Sequence, residues 1–77
     1  MWITEFKYPK RLESEIQKIV SDIADKDSTF RFALGEGLLK IMSEDKDQAY
    51  KRGVWLKNKT TVFQFMHFNV FSGSVDA

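Results

Sequence analysis

The residues with chemical potential are few and poorly spaced for catalysis. His67 is the only histidine, and there is no cysteine. A zinc site built on His67 would need carboxylates for its other protein ligands. As a general base, His67 has no evident nucleophile or orienting partner beside it. It is expected to be a partly buried histidine bonded to backbone or water. Glu44-Asp45-Lys46-Asp47 is acidic but lacks the spacing and the glycine of a calcium loop. Asp22, Asp25 and Asp27 fit no better. Gly35-Glu36-Gly37 is too short to cradle phosphate, and no Lys-Ser/Thr pair follows it. These segments read as solvated acidic loops and a turn. No catalytic residue, cofactor site or metal site is assigned, and the chain reads as a non-enzyme.

One basic and aromatic constellation remains. Lys51, Arg52, Lys57 and Lys59 surround Trp55 and precede a run of aromatics. Basic residues interleaved with sheet aromatics can stack single-stranded bases and hold their phosphates. The match to an RNA-binding sheet is loose, since only Trp55 could stack after Gly53. The charge balance also opposes it: 12 basic against 11 acidic residues leave a net +1. A general polyanion binder carries a larger excess. Binding of single-stranded nucleic acid is therefore the second reading, with Arg52, Lys57 and Lys59 as its contacts beside Lys51.

The aromatic run carries the first reading. Phe63, Phe65, Phe68 and Phe71 are four of the seven phenylalanines. At a strand period of two, Phe63, Phe65 and Phe71 share one face. Val62, Met66, Phe68 and Val70 share the other. A strand apolar on both faces needs cover on both. A chain of this length buries only about 60% of its extended surface, and no disulfide can staple it. Association is the remaining common source of stability. Trp55, Met66 and Phe68, edged by Lys51 and Gln64, are the expected partner-binding face. Tryptophan and methionine are enriched in interface cores.

The elements that would position these residues follow from periodicity. Residues 2 to 8 alternate Trp2, Thr4, Phe6 and Tyr8 against Ile3, Glu5 and Lys7, which suits a short strand or extended arm. Residues 10 to 25 place Leu12, Ile16, Ile19, Val20 and Ile23 in one narrow helical stripe. Asp22, Asp25 and Asp27 oppose the dipole and end this helix near residues 24 to 26. Residues 28 to 44 fit a helix or a hairpin. The hairpin is favoured because it uses Gly35-Glu36 as a type II′ turn and gathers Phe30, Phe32, Leu34, Leu39 and Ile41. It sets Phe32 opposite Leu39 and Arg31 opposite Lys40. Residues 43 to 48 read as a polar loop. A second hairpin is expected over 49 to 57 and 60 to 70, turning at Asn58-Lys59. A frayed tail is expected from about residue 72.

The expected fold is α+β. An antiparallel sheet of four to five strands, made from two hairpins, carries one amphipathic N-terminal helix on one face. The 77 residues are expected to form one small domain. Neither a signal peptide nor a membrane span is expected, which places the protein in the cytoplasm. The expected function is a small non-enzymatic protein-binding module. It would act as an inhibitor or regulator by docking an open sheet face or edge on a partner protein, directly or as a homodimer. By base rate alone this is the profile of small phage or mobile-element proteins that block host defence, anti-CRISPR proteins among them. No residue identifies such a family.

Overall fold

The computed structural model describes residues 1–73. It contains four strands, β1 (Trp2–Lys7), β2 (Arg31–Gly35), β3 (Leu38–Ser43) and β4 (Phe68–Ser72), and two helices, α1 (Glu13–Lys26) and α2 (Lys46–Lys59). The strands form one antiparallel sheet in the order β2-β3-β1-β4. The α+β class expected from the sequence is found, with four strands and a second helix.

The alternating segment at the N-terminus becomes β1, which lies between β3 and β4. Thr4 and Phe6 are buried on its helix-covered side, and Tyr8, just beyond the strand, is buried as well. The α1 stripe behaves as its spacing predicts: Ile16, Val20 and Ile23 are buried, and Leu12 and Ile19 pack beside them. A 3-10 turn, Lys10–Leu12, leads into the helix. The Tyr8 hydroxyl donates to Glu13 Oε1 at 2.7 Å and ties the end of β1 to the start of α1. Burial, and then the Glu13 carboxylate, push the Tyr8 pKa up. Beyond Lys26 the chain turns extended at Asp27 (φ −130, ψ 103).

Residues 31–43 form the hairpin rather than a helix, with a different turn from the one expected. The loop is Glu36-Gly37, and both residues have positive φ, 53° and 79°. That is the geometry of a type I′ turn. Phe32 stands opposite Ile41 and Leu34 opposite Leu39. The pairing shifts by two residues from the expected register, so the same side chains keep the same face. The shift also separates Arg31 from Lys40. Arg31 now opposes Met42, while Lys40 lies opposite Ala33 on one side and Glu5 on the other. Opposite charges across the ladder replace like charges.

The second hairpin is not present. Residues 46–59 are α2, and only 68–72 continue as a strand. Asp45 begins the helix by accepting from the Asp47 N–H (2.7 Å) and the Gln48 N–H (3.3 Å). The buried stripe of α2 is Ala49, Gly53 and Leu56. Two of these three are small, so the helix backbone approaches the sheet closely. The Thr4 hydroxyl donates to the Ala49 carbonyl. A Cβ placed on Gly53 would meet Phe68 Cε2 at 2.6 Å. Phe68 in turn packs on Phe6, ring centroids 5.2 Å apart.

The segment that looked apolar on both strand faces is mostly turn. The Gln64 N–H donates to the Thr61 carbonyl and the Met66 N–H to the Phe63 carbonyl. This coiling drives Phe63 into the core, fully buried with its ring edge-on to Phe6 at 5.2 Å. Phe65 is thrown outward and stays 87% exposed. The double-sided cover that a strand here would need is not required.

Residues of both helices share one core with Phe6, Leu39 and Ile41, so both helices cover the same sheet face. The opposite face carries Glu5, Lys40 and Asn69 across its middle, with Ile3, Met42 and Phe71 at one end. Of the tail expected from about residue 72, Ser72 lies in β4 and the Gly73 N–H donates to the Met1 carbonyl at 3.0 Å. Residues 74–77 lie outside the described residues. No described helix is long and apolar enough to cross a membrane.

Gly53→Ala is expected to lower the unfolding free energy by ~1–3 kcal/mol through overpacking against Phe68, despite a helix-propensity gain of ~1 kcal/mol. In a Phe68→Leu background the same change should become neutral or stabilising. Denaturant melts of the four proteins check this. An equal effect of Gly53→Ala in both backgrounds would remove Phe68 as the cause.

Candidate functional site at the free edge of β4

β4 pairs with β1 along one edge, and among the described residues no strand pairs with the other. The hydrogen bonds show which backbone groups face out. The Gly73 N–H points to the Met1 carbonyl, and the Tyr8 N–H points to the Gly37 carbonyl of the β2–β3 turn. Backbone direction alternates along a strand. The even residues of β1 therefore bond toward β3, and its odd residues toward β4. In β4 it follows that Asn69 and Phe71 turn their N–H and C=O groups to β1. Phe68, Val70 and Ser72 present theirs at the free edge.

The flank of α2 overhangs this edge. The Tyr50 ring lies 5.8 Å from the Phe68 ring, and Lys57 Nζ lies 5.9 Å from the same ring centroid. Lys46 Nζ sits 5.2 Å over the Trp2 ring, and Trp2 is opposite Ser72. Tyr50, Lys57, His67, Phe68, Asn69 and Val70 enclose a groove of about 350 Å³. No acidic side chain is among these lining residues. Tyr50 is 58% exposed and Phe71, on the opposite sheet face, is 37% exposed. Edge strands are normally guarded by lysine, proline or a bulge. Phe68-Asn69-Val70-Phe71-Ser72 contains neither lysine nor proline.

The residues expected to form one docking face are dispersed. Phe68 lies in the β4 groove, half-buried against the core. Met66 lines a separate cleft of about 670 Å³ with Val62 and Phe65, beside Pro9 and Leu12. Gln64 shares a shallow hollow with Lys57 and Lys59 at the end of α2. Trp55 is on α2, 41% exposed, with Lys59 Nζ 4.7 Å over its ring. The expected common face depended on the second hairpin. With α2 in its place, Trp55 is not on the sheet.

Of the basic residues of the nucleic-acid reading, Lys51 and Lys59 stay with Trp55, at four-residue spacing along one stripe of α2 with Lys59 over the Trp55 ring, while Arg52 leaves that stripe. Lys51 is exposed on α2. Arg52 turns to the α1–β2 connection, where Nη2 donates to Thr29 Oγ1 at 2.6 Å. Its Nη1 lies 3.6 Å from Asp27 Oδ2, and its guanidinium carbon is 5.6 Å from the Phe30 ring centroid. Lys57 faces β4 instead. His67 is exposed, not partly buried as expected, because the chain ahead of β4 is a turn rather than a strand. Among the described residues, no group of three or more His, Cys, Asp or Glu side chains could hold a metal ion.

Sequence reasoning missed Lys46, Tyr50 and Val70 as site residues. Asp45 followed three positions later by Gln48 was the available signal for the helix that carries the first two. No protein-family model matches the chain, and comparisons with curated proteins and with solved structures also return no match.

The Arg52 contact has a pH signature. The Thr29 hydroxyl donates to Asp27 Oδ1 at 2.6 Å and the Thr29 N–H at 2.9 Å. These bonds, and then Arg52, hold the Asp27 carboxyl below the usual range. A depressed folded-state pKa stabilises above the unfolded value, about 4. That stabilisation is lost as pH falls through the folded value. Asp27→Asn should therefore melt below the parent at pH 7, and the gap should close below about pH 4. Thermal melts from pH 7 to pH 3 measure this. A gap independent of pH would rule out the charged contact as its source.

Proposed function

We propose that the protein is a small non-enzymatic protein-binding module, an inhibitor or regulator that docks on another protein through the free edge of β4. One observation carries this reading. The outward backbone groups of Phe68, Val70 and Ser72 lie on an uncharged edge strand, overhung by exposed Tyr50 and followed on the open face by Phe71. A partner strand added there would satisfy those groups, with backbone bonds giving affinity and flanking side chains giving specificity. The exposed rings of Phe65 and Trp55 are further anchors of the kind that dominate interface energetics. Placement in the cytoplasm belongs to the same proposal and rests on the cysteine-free sequence. The nucleic-acid alternative keeps Lys51 and Lys59 beside Trp55 but has less support, since Arg52 is held by Asp27 and Thr29 and Lys57 reaches the Phe68 ring.

Three experiments separate these readings. A photo-crosslinking amino acid at position 71 should capture one partner that the same group at position 18, on exposed α1, does not. With that partner purified, Val70→Pro should weaken binding at least about tenfold, a loss of ~1.4 kcal/mol. The Val70 N–H makes no bond within the sheet, so an edge proline there is compatible with folding, which circular dichroism checks. Equal capture from both positions, or unchanged affinity of the folded Val70→Pro protein, defeats the edge assignment. A short single-stranded oligonucleotide at low salt should leave tryptophan emission unchanged. Quenching that weakens steeply with added salt would restore the nucleic-acid reading.

A further inference from the structure

The β4 groove has a charge character that specifies what it accepts. A strand added beside β4 would lie about 4.8 Å away and send alternate side chains up to the helix layer. There it would meet the α2 flank: Lys57 beside Phe68 at one end, Lys46 over Trp2 at the Ser72 end, and Tyr50 on the same flank. Lys46 and Lys57 are 11 positions apart on α2, which is roughly 16 Å along the helix. Same-face positions on a strand recur every ~6.8 Å. The two lysines thus match the ends of a run of about three same-face positions.

A second copy of the chain is a poor occupant. Two β4 strands paired antiparallel about Val70 would join Phe68 of each copy to Ser72 of the other. Both helix layers would then lie on one side, and Lys57 of each copy would approach Lys46 of the other. The backbone groups match in this arrangement, but the charges repel.

We infer that the β4 groove accepts an extended acidic strand from a partner protein, with carboxylates at alternate helix-facing positions set against Lys46 and Lys57 and an apolar residue between them over Val70 and Tyr50. This deepens the docking reading above and rests on it. The residues facing Phe68, Val70 and Ser72 in the added strand would turn their own N–H and C=O groups to β4, so the same three positions carry both the charge contacts and the backbone bonds.

The probe is a blocked peptide, Thr-Glu-Thr-Val-Thr-Glu-Thr, titrated into the isotope-labelled protein at low salt. Saturable shifts of the Phe68, Val70 and Ser72 amides are expected. The peptide with lysine in place of both glutamates should bind at least about tenfold more weakly, since two attractive pairs become repulsive. Lys57→Glu should narrow or reverse that preference, and it leaves the core untouched. N-methylation of the Glu and Val residues should abolish binding, because it removes the amides that face β4. Equal binding of both peptides at the β4 amides overturns the acidic preference and leaves the edge as a docking site. No shift of those amides with either peptide overturns the docking edge itself.

Discussion

The structure depends on how closely α2 can lie on the sheet. Ala49 and Gly53 remove side chains from the contact, so the Thr4 hydroxyl reaches the Ala49 carbonyl and the Phe68 ring sits against the Gly53 backbone. Phe68 is then fixed between Gly53, Phe6 and Tyr50. β4 pairs with β1 on its outer side, and among the described residues no strand pairs beyond it. A helix held further off would carry Tyr50, Lys46 and Lys57 above the sheet. At this distance Tyr50 and Lys57 pack beside Phe68 of the edge strand, and Lys46 lies over Trp2 of the adjoining β1. The groove is a consequence of a glycine and an alanine that never line it.

The same two residues explain why α2 was hard to read. A helix is recognised from large apolar residues at helical spacing, and α1 supplies them in Ile16, Ile19, Val20 and Ile23. On α2 the buried positions are an alanine, a glycine and one leucine. Gly53 reads as a breaker, while Val54-Trp55-Leu56 reads as strand. Close packing selects small residues and so erases the pattern that announces a helix. The cap was legible, since Asp45 and Gln48 stand at the right spacing, but they sit in a stretch so polar that a loop accounts for it equally well.

The hairpin at residues 31–43 was legible for the opposite reason: its alternation is strong and its glycines have a use. Only the turn was misplaced. Placing the loop at Glu36-Gly37 asks a non-glycine residue to take positive φ, which local preference resists. Cross-strand charge favours it, because Lys40 then leaves Arg31 and lies beside Glu5. The site was legible only in fragments. Phe68 and Lys57 were singled out for composition, yet they meet because α2 crosses β4. An edge is a property of strand order, and strand order here joins the N-terminal β1 to the C-terminal β4 across almost the whole described chain. No local pattern reports such a pairing.

The distribution of charge around the edge then follows a physical logic. A lysine within β4 would guard it against every strand alike. Here the lysines stand on the neighbouring helix, leaving the backbone of Phe68, Val70 and Ser72 open. A cation set to one side repels an identical edge, which brings its own lysines, and attracts a strand that brings carboxylates. Backbone bonds are indifferent to sequence, so they cannot discriminate between strands. Discrimination comes from a difference between attraction for one partner and repulsion of others. Moving the positive charge from the strand to the helix converts a general guard into a selective one.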